Sequence, residues 1–253
     1  MSAEILVRRC DSLAEFARCV ELQREIWGEA DLEVEPLTMF VVAAHAGGQV
    51  LGAFTGPHMV GYTLAIPGIR EGQPYLHSHM TGVAAEFRDR GVGRKLKLFQ
   101  RDDALARGVR LIEWTFDPLE LRNAHFNFNR LGAISRRYEP NLYGLTTSPL
   151  HRGLPTDRLV AEWPLDSPRV VAILSGKVPE PAEAPAVISF PSELDEWKQN
   201  NPAELARLQT RIRQEFQAWF ARGYAAIATR STPAPIPSGP AGPAYLLAPW
   251  SDF

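Results

Sequence analysis

Residues 75–108 constrain the fold more than any other stretch of this chain. A strand-like run, YLHSHMTGVA, leads into Glu86-Phe87-Arg88-Asp89-Arg90-Gly91-Val92-Gly93, and an amphipathic helix begins at once. A strand that passes through a glycine turn straight into a helix is an α/β unit. Two glycines let the backbone approach a ligand without Cβ atoms in the way. The start of the helix aims unpaired N–H groups and a positive dipole at the same point. Arg88, Arg90, Arg94 and Lys95 add cationic side chains. Together these features describe a seat for a phosphorylated ligand, a pyrophosphate above all. A surface strand–turn–helix with a solvated basic face would use the same residues.

Two familiar phosphate motifs do not fit. A dinucleotide fold wants Gly-x-Gly-x-x-Gly, and the third glycine position here is Leu96. A P-loop wants Gly-Lys-Ser/Thr, and Gly93 is followed by Arg94-Lys95-Leu96.

The chain has 253 residues, enough for one large domain or one domain with a smaller companion. A net charge of −2 argues against a general nucleic-acid binder. Its two cysteines, Cys10 and Cys19, make neither a disulfide framework nor a zinc cluster, and no His/Cys/Asp/Glu set has metal-ligand spacing. The N-terminus lacks an apolar signal core, and no apolar stretch is long enough to span a membrane. The expectation is a soluble, cytoplasmic protein with no metal, no nucleic-acid partner and no membrane partner.

Proline divides the sequence: of 21 prolines, 13 lie from Pro164 onward. Before Pro164 the pattern predicts strands at 5–9, 50–54, 59–66, 75–84, 111–116 and 159–163. Helices are predicted behind the capping box Ser12-Leu-Ala-Glu15 and over 37–46, 92–107 and 123–131. After Pro164 it predicts strands at 170–174, 186–190, 224–228 and 244–247. A helix over 201–222 is capped by Asn201-Pro202. Residues 178–185 and 231–243 read as a connector and a linker.

The ordered set Arg88-x-x-Gly91-x-Gly93 after a strand containing Val83, then LIEWTF, then a short helix ending Arg130-Leu131-Gly132-Ala133, resembles motifs A and B of the GNAT acyl-CoA N-acyltransferases. The resemblance covers residues 5–163. The phrase WTFDPLELRNAHFNFNRLGA also resembles a poorly characterised bacterial subgroup of that superfamily. It implies an α/β (α+β) fold: a mixed, mostly antiparallel central sheet flanked by helices. Residues 1–163 would be the acyl-CoA-binding catalytic domain. Residues 164–253 would be a non-catalytic α/β extension, readable as a degenerate half-repeat, with sheet extension, cover for the acceptor site or homodimer formation as its roles.

The resemblance also implies a chemistry: transfer of an acetyl group from acetyl-CoA to the amine of a small molecule or peptide by direct attack. A non-catalytic acyl-CoA-binding or sensing protein is the alternative. Strands 75–84 and 111–116 would splay around acyl-CoA. Val83 and Ala85 would pair with the pantetheine, and the Val83 N–H would polarise the acyl carbonyl. Arg88, Asp89, Arg90, Gly91, Val92, Gly93 and Arg94 would cradle the pyrophosphate. The motif-B helix would add Asn123 and Phe128 to cofactor binding.

His77 stands where histone acetyltransferases of the superfamily carry a glutamate. Strand alternation puts His77, His79, Thr81 and Val83 on one face unless a bulge intervenes. An imidazole suits deprotonation of an ammonium near neutral pH, and packed or hydrogen-bonded core histidines would occupy the same positions. Many members place a tyrosine, as general acid, where this chain has Phe128. Either Tyr143 or Tyr138, the nearest in sequence, replaces it or solvent does, and each tyrosine could equally be a core aromatic. Asp117-Pro118 either orients a substrate ammonium or starts a turn. Asn127 and Asn129 read as exposed helix positions. Acceptor specificity is expected from residues 68–74 and 138–157 and from the C-terminal part.

Overall fold

In the computed structural model, the described residues are 4–28, 34–144, 146, 151–177, 186–230 and 242–250. The connector at 178–185 and residues 231–241 of the linker lie outside them. By contact the chain divides into two compact units, Met1–Trp114 and Thr115–Phe253.

The first unit is a twisted sheet with helices on both faces. Its strands run β1 (Leu6–Arg9), β2 (Gln49–Thr55), β3 (His58–Arg70), β4 (Gln73–Val83) and β5 (Leu111–Phe116), in that spatial order. All neighbours are antiparallel except β4 and β5, which run parallel. Helix α1 (Leu13–Trp27) starts where the capping box places it: the Ser12 side chain accepts from the Glu15 N–H. Glu15 in turn accepts from the Asp11 N–H rather than from Ser12 itself. Helix α2 (Leu37–His45) forms as expected.

Alternation along β2 explains the two-faced sheet. Val50 and Phe54 pack with α1 and α2, beside Tyr62 and Leu64 of β3. Leu51 and Ala53 pack on the other face against Val92 and Leu96 of α3 (Val92–Ala106). Residues 68–74 are a hairpin rather than a loop. β3 runs on to Arg70, β4 starts at Gln73, and Glu71 and Gly72 both take positive φ, as a tight type I′ turn requires.

The second unit orders its strands β7 (Arg158–Pro164), β6 (Ile134–Glu139), β9 (Tyr224–Arg230), β10 (Ala244–Pro249) and β8 (Ala186–Ser189), all antiparallel. Helix α4 (Leu121–His125) continues into a π-helical turn at Phe126–Arg130. Gly132 closes it at φ 83°, and a Cβ there would stand 3.1 Å from the Val170 Cα. Helix α7 (Pro202–Phe220) buries Leu205, Leu208, Ile212 and Phe216, and the Asn201 side chain caps it.

Three local expectations fail here. Residues 170–174 form helix α5 (Pro168–Leu174), not a strand, because Ser167 caps it and Pro168 opens its first turn. Strand β6 and helix α6 (Leu194–Asn200) are present where neither was expected. Asn127 is buried and Asn129 half-buried where exposed positions were expected, and the Asn129 amide bonds both backbone groups of Thr229.

Candidate functional site

The glycine turn has the form its sequence suggests. β4 ends at Val83, a 3₁₀ turn covers Ala85–Phe87, and α3 begins at Val92. Gly91 caps α3 at φ 77°, a conformation that costs an L side chain roughly 1–2 kcal/mol. Glycine offers no side-chain acceptor, so the first-turn amides of Val92, Gly93 and Arg94 face outward without an intrahelical partner. A Cβ at Gly91 would meet nothing within 4 Å, and one at Gly93 only a Val83 methyl at 3.9 Å. The space above this backbone is therefore open.

Ala85, Arg88, Asp89, Arg90 and Gly91 are exposed. Val83, Gly93 and Arg94 are half-buried, and Val92 is buried. Asp89 also takes positive φ, at 61°. Arg88 is partly committed already: its Nε donates to the Val83 carbonyl at 3.1 Å, and its Nη2 donates to the Ile26 carbonyl at 3.4 Å. Its guanidinium ties the end of β4 to the end of α1. Arg90 stacks over Phe87, 5.5 Å from the ring centre.

Strand β4 carries a bulge, and that changes which side chains share a face. Met80 pairs with Leu64 and Ser78 pairs with Ala65, so His79 is the extra residue. Beyond it the alternation resets. His77 pairs with Ile66 and lies on the Tyr62–Leu64 side, towards α1 and α2. Thr81 and Val83 pair with Thr63 and Gly61 on the α3 side. His77 and Val83 side chains therefore occupy opposite faces, not the common face that strict alternation predicts. The two imidazoles stay close, with ring centres 6.2 Å apart.

His79 has a partner that no motif announces. Its Nε2 lies 2.8 Å from Glu35 Oε1, and both side chains are roughly a quarter to a third exposed. Glu35 is itself held by its backbone. The buried Gln23 amide donates to the Glu35 carbonyl at 3.1 Å and accepts from the Glu35 N–H at 2.8 Å. The pair spans 44 residues, so local sequence carries no sign of it.

On the α3 side, Lys97 is buried. Its ammonium donates to Ser78 Oγ at 2.8 Å and Gln100 Oε1 at 3.0 Å, and lies 4.1 Å from the Trp114 ring centre. Burial pulls it down to about 7.

The remaining expected residues belong to the second unit. Asn123 is exposed on α4. Phe128 is fully buried and packs edge-on against Phe116 and Tyr245, at 5.8 and 6.0 Å. Tyr143 is about half-exposed, its hydroxyl 2.8 Å from Thr115 Oγ1. Tyr138 is a core group: its hydroxyl donates to Asp157 at 2.7 Å, and burial with that carboxylate pushes its pKa up. Asp117 starts a turn, accepting from the Leu119 N–H at 2.8 Å, and burial raises its carboxyl pKa. Among the described residues, no group of three or more His, Cys, Asp or Glu could hold a metal ion. No helix among them is long and apolar enough to cross a membrane.

No family model and no curated protein matches the sequence. Solved structures do match the fold. The chain superimposes on yncA of Salmonella typhimurium, described as an acetyltransferase and solved with acetyl-CoA, at a TM-score of 0.52 and 18% identity, over 65% of this chain and 95% of that one. A Desulfovibrio desulfuricans protein assigned to the GNAT family of acetyltransferases gives 0.52 and 16%, over 64% and 99%. The ribosomal-protein-S18-alanine N-acetyltransferase of Escherichia coli gives 0.51 and 14%, over 65% and 96%.

Proposed function

We propose that this chain, which has the fold of the GNAT acetyltransferases, is an acetyl-CoA-dependent N-acetyltransferase. The observation that carries the reading is the open glycine turn capping α3. Its outward first-turn amides and the helix dipole lie just after β4 in a segment that also carries Arg88, Arg90 and Arg94. These residues fit a pyrophosphate: the backbone is bare at Gly91 and Gly93, and the charge is of the right sign. The solved relative with acetyl-CoA supports the same cofactor.

In this reading, bound acetyl-CoA supplies an acyl group activated as a thioester. The Arg88–Arg94 turn, with Val83 and Ala85, would hold the cofactor, and Asn123 would contribute as the family pattern implies, whereas the expected Phe128 contact has no exposed side chain to make it. The Val83 N–H would donate to the developing oxyanion. His77 or His79 would take a proton from the acceptor ammonium, since an ammonium has no lone pair to attack with. Tyr143 would return a proton to the departing thiolate. Residues 1–163 would form the catalytic region and 164–253 the extension. The acceptor is an amine of a small molecule or peptide.

A second reading, acyl-CoA binding without transfer, draws on Phe128. A buried phenyl ring cannot supply the proton that a tyrosine there would.

The test is thermal unfolding with acetyl-CoA, CoA and ATP in parallel. It is followed by CoA release with spermidine, a lysine-containing peptide and a peptide with a free N-terminal alanine. A ligand at one hundred times its Kd stabilises by about 2.7 kcal/mol. Stabilisation by acetyl-CoA and CoA but not ATP, with amine-dependent CoA release, is the expected result. Stabilisation without release favours the second reading, and no stabilisation overturns both.

A further inference from the structure

We infer that Glu35 is a positioning residue for proton transfer, acting through His79; the inference rests on the acetyltransferase reading. Three observations meet at this pair. The bulge in β4 takes His79 out of register with β3 and leaves it as the strand's extra residue. Bulges of this kind re-aim a side chain. The His79 Nε2 then meets Glu35 Oε1 at 2.8 Å. Gln23, fully buried on α1, fixes the Glu35 backbone through both ends of its amide. A buried glutamine spent on one backbone residue, next to a strand irregularity that points an imidazole at that same residue, is a built arrangement. Both side chains keep part of their surface in water, so the pair is accessible.

The chemistry follows from what each group can do. An ionised carboxylate only accepts hydrogen bonds, so Nε2 must carry the proton. The free lone pair of neutral His79 is then on Nδ1. Glu35 sets that tautomer, orients the ring and balances the charge when the imidazole becomes imidazolium. In the transfer step the acceptor ammonium gives one proton to His79 Nδ1. The freed amine nitrogen forms the C–N bond to the acyl carbon as the C–S bond breaks. The sulfur leaves with the electron pair and takes the Tyr143 hydroxyl proton, the second nitrogen-bound proton restores that hydroxyl through water, and His79 passes its own proton to water.

The test has two arms. The first is NMR of the imidazole protons in the full chain without substrate. The expected result is a His79 Nε2-bound proton, downfield and protected from exchange, that disappears in Glu35→Ala. The second is the rate of CoA release with the best acceptor of the amine panel. Glu35→Gln keeps the reach and removes the charge. It should lower kcat at least tenfold, but by less than the full contribution of a general base, roughly 10²–10⁴-fold, with the KM for acetyl-CoA and the melting temperature unchanged.

An unprotected His79 proton in the unmodified chain, or an unchanged kcat in Glu35→Gln, overturns the inference. If no amine releases CoA, the acetyltransferase reading has failed and this inference falls with it. That case is distinct from active transfer that ignores Glu35.

Discussion

The Lys97 ammonium nitrogen lies 2.8 Å from Ser78 Oγ, so a cation of α3 is bonded directly to a hydroxyl of β4 inside the first unit. Burial lowers the lysine from 10.5 to about 7, so the folded state disfavours its charge. Below pH 7 both folded and unfolded chains are protonated and the folded state bears the whole penalty. Between about 7 and 10.5 the unfolded chain binds more protons, so stability rises with pH, by up to ~1.4 kcal/mol per unit. Lys97→Met removes this dependence. Urea unfolding at pH 6, 7.5 and 9 should show the wild type gaining on the variant as pH rises. Parallel curves would contradict the burial argument.

Gly93→Ala separates folding from cofactor binding. Gly93 lies in the first turn of α3 with helical φ, and its only neighbour within 4 Å of a Cβ is the Val83 methyl at 3.9 Å. Alanine there fits and gains helix propensity, so the free protein should be as stable or up to about 1 kcal/mol more stable. The same methyl stands over the open backbone. CoA affinity, measured by calorimetry, should fall at least tenfold. Equal affinity would show that no ligand approaches this amide.

What the sequence reveals here depends on how local the cause is. The β4–Gly91–α3 unit is legible because strand, turn and helix follow one another within 34 residues, and each signals itself by composition or period. Helix α5 is misread because Val170–Leu174 is a short apolar run that suits either element. The deciding signal, Ser167-Pro168, lies just upstream. Strand β6 is hidden by Ser135-Arg136-Arg137. Its arginines lie beside the buried Glu162 of β7, which no local pattern shows. The bulge at His79 is illegible for a different reason. It exists only in the register between β4 and β3, and Glu35 reaches the site through the packing of α1.

Gln23→Leu should release Glu35 without emptying the core. Leucine has a similar volume, but it leaves the Glu35 N–H and C=O without their partners. Such a loss costs about 1–3 kcal/mol for buried groups, and the half-buried setting of Glu35 puts the expectation at the lower end. Hydrogen exchange gives a sharper reading than stability. The Glu35 amide should lose its protection in the variant while amides of β3 keep theirs. Retained protection would mean that the clamp does not hold the segment.

In the second unit the equivalent anchor is Asp157, buried between β6 and α7. Its carboxylate accepts from the Tyr138 hydroxyl at 2.7 Å, from Arg213 through two bonds of 2.8 Å, and from the Asn141 N–H at 3.0 Å. Asp157→Asn keeps the shape but removes the charge and turns an N–H₂ group on these donors. Breaking a buried pair costs about 3–5 kcal/mol, and Arg213 keeps part of its guanidinium in water, which favours the lower figure. Denaturant unfolding followed by tryptophan fluorescence should therefore show an unfolding free energy lowered by about 3 kcal/mol. The thermal shift produced by CoA should persist, because the Gly91 turn belongs to the first unit. A stability loss below 1 kcal/mol would mean that the tyrosine and arginine find water or new partners, and that α7 is held by its apolar face alone.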